Sequence, residues 1–282
     1  MVATLRRFKS IAPLCVAGAA LMLGAFGASP AWAERDRSSL TVNLGAAAPF
    51  GAFGGGAGVT NQGTYTVING ALGTTGASTM ITGFHDKTGA VYVETPLNVG
   101  TVNGAVFSAP PPPGTVASLV VAAAAAADAL TAFNSLSPDL LPGGTDPFAG
   151  LLGGKTIYPG IYKAASGAFL INGSDVFLDA QGNPDAVWVF QSAGALTVGE
   201  PAAPRSIILT NGAQAKNVFW QVGSAATING AGGGTMVGTI IAAAGVTFST
   251  PGNAALTTLN GRALGLNASV TMVNTVINVP AP

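Results

Sequence analysis

Four short apolar runs in the second half of the chain each carry a threonine at their centre: Leu196-Thr197-Val198, Ala226-Thr227-Ile228, Val246-Thr247-Phe248 and Val270-Thr271-Met272. Side chains of a strand alternate between its two faces, so with the apolar neighbours inward every one of these threonines points outward. Successive threonines are 30, 20 and 24 residues apart. A spacing of about 20 to 30 residues is what one turn of a β-solenoid takes, with three short strands and three corners. Such turns stack about 4.8 Å apart, which lines equivalent positions into a ladder up one flat face. The small residues two places earlier, Ala195, Ala225 and Ser269, fall on that same outer face, and the segments "STMITGF" around Thr82 and "GAFLING" around Leu170 extend the series. An inward register differs from this one by a slip of a single residue, and threonine's preference for strands is a further source of the same pattern.

The rest of the chain fits the same plan. From Thr41 to Phe107 short apolar runs alternate with Gly, Asn and Thr, as in "TYTVING" and "AVYVETPLNVG". They read as short strands bounded by turns. The segment "APPPPG" (109–114) interrupts any sheet, because proline has no N–H for the ladder. After it comes the one convincing helix, Val116 to about Leu136, with Thr115 as its N-cap and Pro138 as its stop. Asp128 is its sole charge, so the helix is expected to be mostly buried. A helix of about 21 residues is about 30 Å long, the height of about six stacked coils. Strands resume from Lys155, and Val189, Phe190, Phe219, Trp220, Ile240 and Ile241 are the expected core. The fold class expected is all-β with one α-helix, a β-solenoid with the helix packed alongside.

The N-terminus has the three parts of a secretory signal. Arg6, Arg7 and Lys9 are basic, residues 11–27 are apolar, and Ala31-Trp32-Ala33 is a small-residue cleavage site. Residues 1–33 are therefore expected to be a signal peptide and 34–282 a single exported domain, extracellular or periplasmic. Cys15, the single cysteine, lies in that signal, so neither disulfides nor thiolate metal sites hold the mature chain together. Charged residues are 8% of the chain, with 11 basic against 11 acidic. That leaves no basic stripe for phosphate neutralisation and excludes nucleic acid as an expected partner.

Motifs with possible chemistry are weak. "AGLLGGKT" (149–156) is nearly a phosphate-binding loop, but Ala149 replaces its first glycine and strand-forming residues follow where a helix is needed. His85, the one histidine, reads as a surface turn residue, and no cysteine or second histidine is left to complete a metal site. Asp175, Asp179 and Asp185 form the only local acidic group. Their setting, "LDAQGNPDA", reads as a turn and not as a catalytic strand. No catalytic residue, metal or cofactor is expected.

The segments "GVTNQGTYTVINGALGT", "YPGIYK", "LDAQGNPDAVWVFQ", "NVFWQVGSAATI", "VGTIIA" and "LNGRAL", in this order, resemble the secreted ice-binding proteins of the DUF3494 type. The resemblance runs from about Leu44 to Val279. It implies a discontinuous right-handed β-helix of roughly triangular section, with one α-helix lying along it and one flat face adsorbing to ice. The positions that match that face are Thr82, Leu170, Thr197, Thr227, Thr247 and Thr271, with Ala195, Ala225, Ser249 and Ser269 beside them. Leu170 departs from the pattern and is expected to roughen the ladder. The implied partner of a monomeric protein is the ice crystal surface, with no membrane involved. The alternative reading is a secreted structural or adhesive solenoid without ice activity. From the signal, the mature chain is expected to start at or near Glu34, and N-terminal mass spectrometry of secreted material checks this; an intact Met1 would refute it.

Overall fold

The computed structural model describes residues 40–200, 202–230, 233–249 and 255–281. The signal segment expected at 1–33, with Cys15, lies outside the described residues. Strands of two to nine residues, broken by Gly, Asn and Ser corners, pair almost wholly in parallel; only Phe84–Asp86 with Val91–Tyr92 is antiparallel among the described strands. Parallel neighbours need a long connection, and here each connection is the remainder of a coil. The result is a β-solenoid with three faces.

One face is a seven-stranded sheet that runs, in spatial order, through Phe169–Ile171, Leu196–Val198, Ala226–Asn229, Val246–Ser249, Val270–Met272, Val59–Asn61 and Ile81–Thr82. The last two strands come from the start of the chain and stack beyond the last coil of its end. The scale argument anticipated six coils on this face. A seventh strand, Val59–Asn61, is inserted at that seam.

The second face carries the helix and includes Trp188–Ser192, Val218–Val222 and Phe50–Gly54. Thr235–Ala242 and Thr257–Gly265 each bend round a corner and serve both this face and the third. Gly238 and Gly261 pair at that bend; Gly238 has φ +99, and a Cβ on Gly261 would run into the Gly238 carbonyl. Only glycine fits both places.

Two cores follow from this plan. Inside the solenoid, Tyr162, Phe190 and Trp220 occupy equivalent rungs and stack. The Phe190 and Trp220 rings lie 4.0 Å apart at 9°, and Phe169 meets both edge-on. The Trp220 indole N–H donates to Val237 O at 2.9 Å, which satisfies its one polar atom. Outside the second face, Val189, Phe219, Ile241 and Leu264 pack against the helix. All six expected core residues are buried, but they divide: Phe190, Trp220 and Ile240 face inward, whereas Val189, Phe219 and Ile241 face the helix. A sheet covered on both sides produces runs such as Val-Phe-Trp, without polar alternation.

The helix, α1, spans Val116–Ser135. Thr115 caps it by accepting from Ser118 N at 3.0 Å, and Asp128, its one charge, accepts a hydrogen bond from Ala46 N at 2.6 Å. Gln191 closes the other end by donating to Leu136 O and Leu141 O. The expectation of a mostly buried helix is corrected: Ala122, Ala125, Ala129 and Ala132 are its buried residues, while Val116 and Val120 are 70% and 65% exposed. A straight helix touches a sheet along one stripe only, and nothing among the described residues covers its other side. By length and composition alone it would also suit a membrane span.

A chain of amides stitches the third face. Asn103 donates to Asn69, Asn69 to Asn278, and Asn278 to Asn260, at 2.6 to 3.0 Å. The energetic centre is the aromatic stack. Trp220→Ala is expected to cost about 3 to 5 kcal/mol, because it opens a cavity among packed rings; denaturant unfolding measures it, and a loss below about 1 kcal/mol would show the stack to be dispensable.

Candidate functional site

The seven-stranded sheet places one row of side chains outward in register. Leu170 pairs with Thr197, Thr197 with Thr227, Thr227 with Thr247, Thr247 with Thr271, Thr271 with Thr60, and Thr60 with Thr82. Their strand neighbours Leu196, Val198, Ala226, Ile228, Val246, Phe248, Val270 and Met272 are all buried, which fixes the threonines as the outer row. Six threonines thus follow one another without interruption over about 24 Å. Each is β-branched, so its χ1 is restricted and its side chain loses little freedom when the row is held in place.

Thr60 is a member of the row that the sequence reading missed. Its strand is Val59-Thr60-Asn61, with asparagine where the other strands have an apolar residue. Asn61 nevertheless points inward. It is fully buried, donates to Gly63 O and Gly83 O, and accepts from the Thr66 hydroxyl at 2.7 Å. The "V-T" pair was the available signal, masked by a buried corner residue that looks like a turn.

Leu170 does not interrupt the row. It stands at one end, bridged to Leu151 beyond it, so the apolar side chains form a terminal step and Thr82 marks the opposite end. Beside the row, the carbonyls of Ala195, Ala225, Gly245, Ser269 and Gly58 each accept an N–H from an adjoining coil. This second column is therefore small and level, and Gly245 and Gly58 belong with the residues anticipated there. At its end Met80 is 40% exposed. The Ser269 and Thr271 hydroxyls lie 3.4 Å apart. Ser249 differs: its hydroxyl donates to Asn229 Oδ1 at 2.7 Å, while Asn229 Nδ2 donates to Gly199 O at 2.9 Å. That relay ties three coils together at the edge of the face. Among the described residues, the hydroxyls of Thr60, Thr82, Thr197, Thr227 and Thr247 have no partner within the protein.

No residue of either column is titratable, and the other candidate chemistries are located elsewhere. His85 is corrected from a turn to a strand residue, in Phe84–Asp86, where Nδ1 lies 2.6 Å from Glu94 Oε1 and Nε2 lies 3.2 Å from Thr101 Oγ1. Asp175 accepts from Ser206 N, and Asp179 accepts from Gln181 N and Asn211 Nδ2, so both carboxylates serve corners. Asp185 is exposed at its own corner. The near phosphate loop leads into the strand Thr156–Ile157, not into a helix. Among the described residues no cluster of three His, Cys, Asp or Glu could hold a metal.

A three-faced parallel solenoid, its coil order broken at one seam, with a flat threonine row on one face and a helix along another, defines the class. The chain belongs to the ice-binding-like family, whose model matches residues 53–278. It is 37% identical to an ice-binding protein of Nostoc sp. (strain HG1), over 90% of this chain and 79% of that protein. It is 32% identical to one from Leucosporidium sp. (strain AY30), over 88% of this chain and 87% of the other. Among solved structures, the ice-binding protein of the Antarctic ascomycete Antarctomyces psychrotrophicus matches with a TM-score of 0.64 and 33% identity, covering 86% of this chain and all of that one.

Because Thr227 is an outward residue in the middle of the row, Thr227→Tyr is expected to change stability by only about 0.5 kcal/mol. Thermal unfolding of the variant measures this; outright unfolding would mean that the side chain is part of the core.

Proposed function

We propose that this chain is an exported ice-binding protein and that the threonine row, with the small column beside it, is the surface that adsorbs to ice. The unbroken in-register run of six threonines is the observation that carries this reading. Ice is a rigid, periodic partner. A protein surface gains from it only by making many weak contacts at once, which requires flatness and a repeat that does not fluctuate. Strands stacked about 4.8 Å apart supply the repeat, and the buried residues between the threonines hold each strand in place. The hydroxyls can join a water lattice, and the methyls leave ordered water undisturbed. No side chain in either column carries a charge that would hold a competing hydration shell.

Family membership supports ice binding in general. The residue assignment rests on geometry alone, and so does the order of importance along the row. Thr227, Thr247, Thr271 and Thr60 lie centrally, Thr197 and Thr82 lie at the two ends, and Leu170 lies past Thr197. Ala195, Ala225 and Ser269 keep the second column level, and Ser249 acts through its relay with Asn229. This is a binding surface and not a catalytic one.

Ice recrystallisation and thermal hysteresis test the assignment. Thr227→Tyr is expected to raise the concentration needed for recrystallisation inhibition by about tenfold or more, a loss of about 1.4 kcal/mol in effective adsorption. Thr82→Tyr should do less harm. Leu170→Thr should bring a modest gain, since it lengthens the row by one rung. Full activity in folded Thr227→Tyr would move the site to another face. Inactivity of the unmutated protein would leave the structural-module reading in its place.

A further inference from the structure

On the helix-bearing side, away from the threonine row, a cavity of about 530 Å³ lies between the N-terminal segment and the second face. Its walls include Val42, Leu44, Val187 and Phe219, and Arg262 lines it. Arg262 comes from "NGRAL" and is only 7% exposed. Its Nε donates to Ala48 O at 2.7 Å, Nη1 to Thr239 Oγ1 at 3.3 Å, and Nη2 to Pro280 O at 3.4 Å. Every one of these acceptors is neutral. Among the described residues no carboxylate pairs with the guanidinium. Each Nη also carries a second N–H that these bonds do not use.

A buried cation without a counter-charge is costly, and burial here pushes the Arg262 pKa down. Lys216 also lines the cavity and adds a second positive group. Asp185 lines it too, but it is exposed, so its charge is weakened by solvent. The volume lies in the ordinary range for small-molecule sites, which combine apolar walls with a few placed polar groups.

We propose that this cavity binds a small amphiphilic carboxylate. Its two oxygens take the free N–H groups of Nη1 and Nη2, a fork that suits a planar carboxylate. Its hydrocarbon part lies against Val42, Leu44 and Phe219, and Lys216 supplies the second charge. The apolar walls discriminate against inorganic phosphate, whose remaining oxygens would lose their water.

Hexanoate is the probe, titrated into the full mature protein by calorimetry and by its effect on the melting temperature. Saturable binding of hexanoate is expected, with a melting temperature that rises with its concentration and with no comparable effect of hexanol or inorganic phosphate. Lys216→Gln should weaken hexanoate binding about threefold or more, roughly 0.6 kcal/mol. Arg262→Gln should abolish it. Because Arg262 also holds Ala48 and Pro280, a second variant decides the matter if that one fails to fold. Val42→Trp fills the cavity, leaves the guanidinium in place, and should abolish binding. Hexanoate binding that survives Val42→Trp, equal binding of hexanol, binding of phosphate instead, or no saturable binding would each overturn the proposal.

Discussion

Parallel backbone pairing, repeated at one strand per coil, is the constraint on which everything else in this molecule rests. It sets the distance between equivalent residues at about 4.8 Å on all three faces at once. That spacing lets the Phe190 and Trp220 rings stack inside, lines up Asn69, Asn278 and Asn260 on one edge, and lines up the threonines on another. The hydrogen bonds of the ladder are individually modest. Their value lies in fixing a register that the side chains then exploit in three different ways.

The helix solves a problem that this architecture creates. Coils from the start of the chain stack at one end, next to Val270–Met272, and the chain must then reach the opposite end to begin at Phe169–Ile171. A helix of 20 residues covers that distance in one straight element of about 30 Å. Its alanines keep it close to the sheet. The Ala47, Phe50 and Phe53 side chains and the buried alanines then make a second core out of what would otherwise be an exposed sheet.

Much of this was legible in the chain itself. The threonines at 197, 227, 247 and 271 betrayed the coil length because each sits between two apolar residues, and the helix stood out because Thr115 and Pro138 punctuate it. What escaped was whatever depends on spatial order. Thr60 was hidden because Asn61 is a buried residue of a type that normally marks turns. Leu170 looked like a flaw in the row because nothing in the sequence says which coil is last. The helix was expected to be mostly buried because composition cannot tell a helix enclosed by protein from one that leans on a sheet along a single stripe. His85 was assigned to a turn, although it sits on a strand beside its paired neighbour Thr101 and bonds to Glu94. The cation at Arg262 drew no notice, since its setting is built by both ends of the chain.

The seam between the first and last coils has a consequence for how the molecule comes into being. Asn69 and Asn278 are 209 positions apart in sequence, yet they are bonded neighbours in space. Thr60 and Thr271 meet across the same junction. Contacts of such long range close slowly, because much of the chain's freedom must be surrendered before they form. The outer row therefore has no early partial version of its full length. During synthesis the Thr60 and Thr82 strands wait without their neighbour until the strand that carries Thr271 emerges. Loss of the strand that carries Thr271 would strike the middle of the stack and divide the row in two, although that strand lies far along the chain from Thr60 and Thr82.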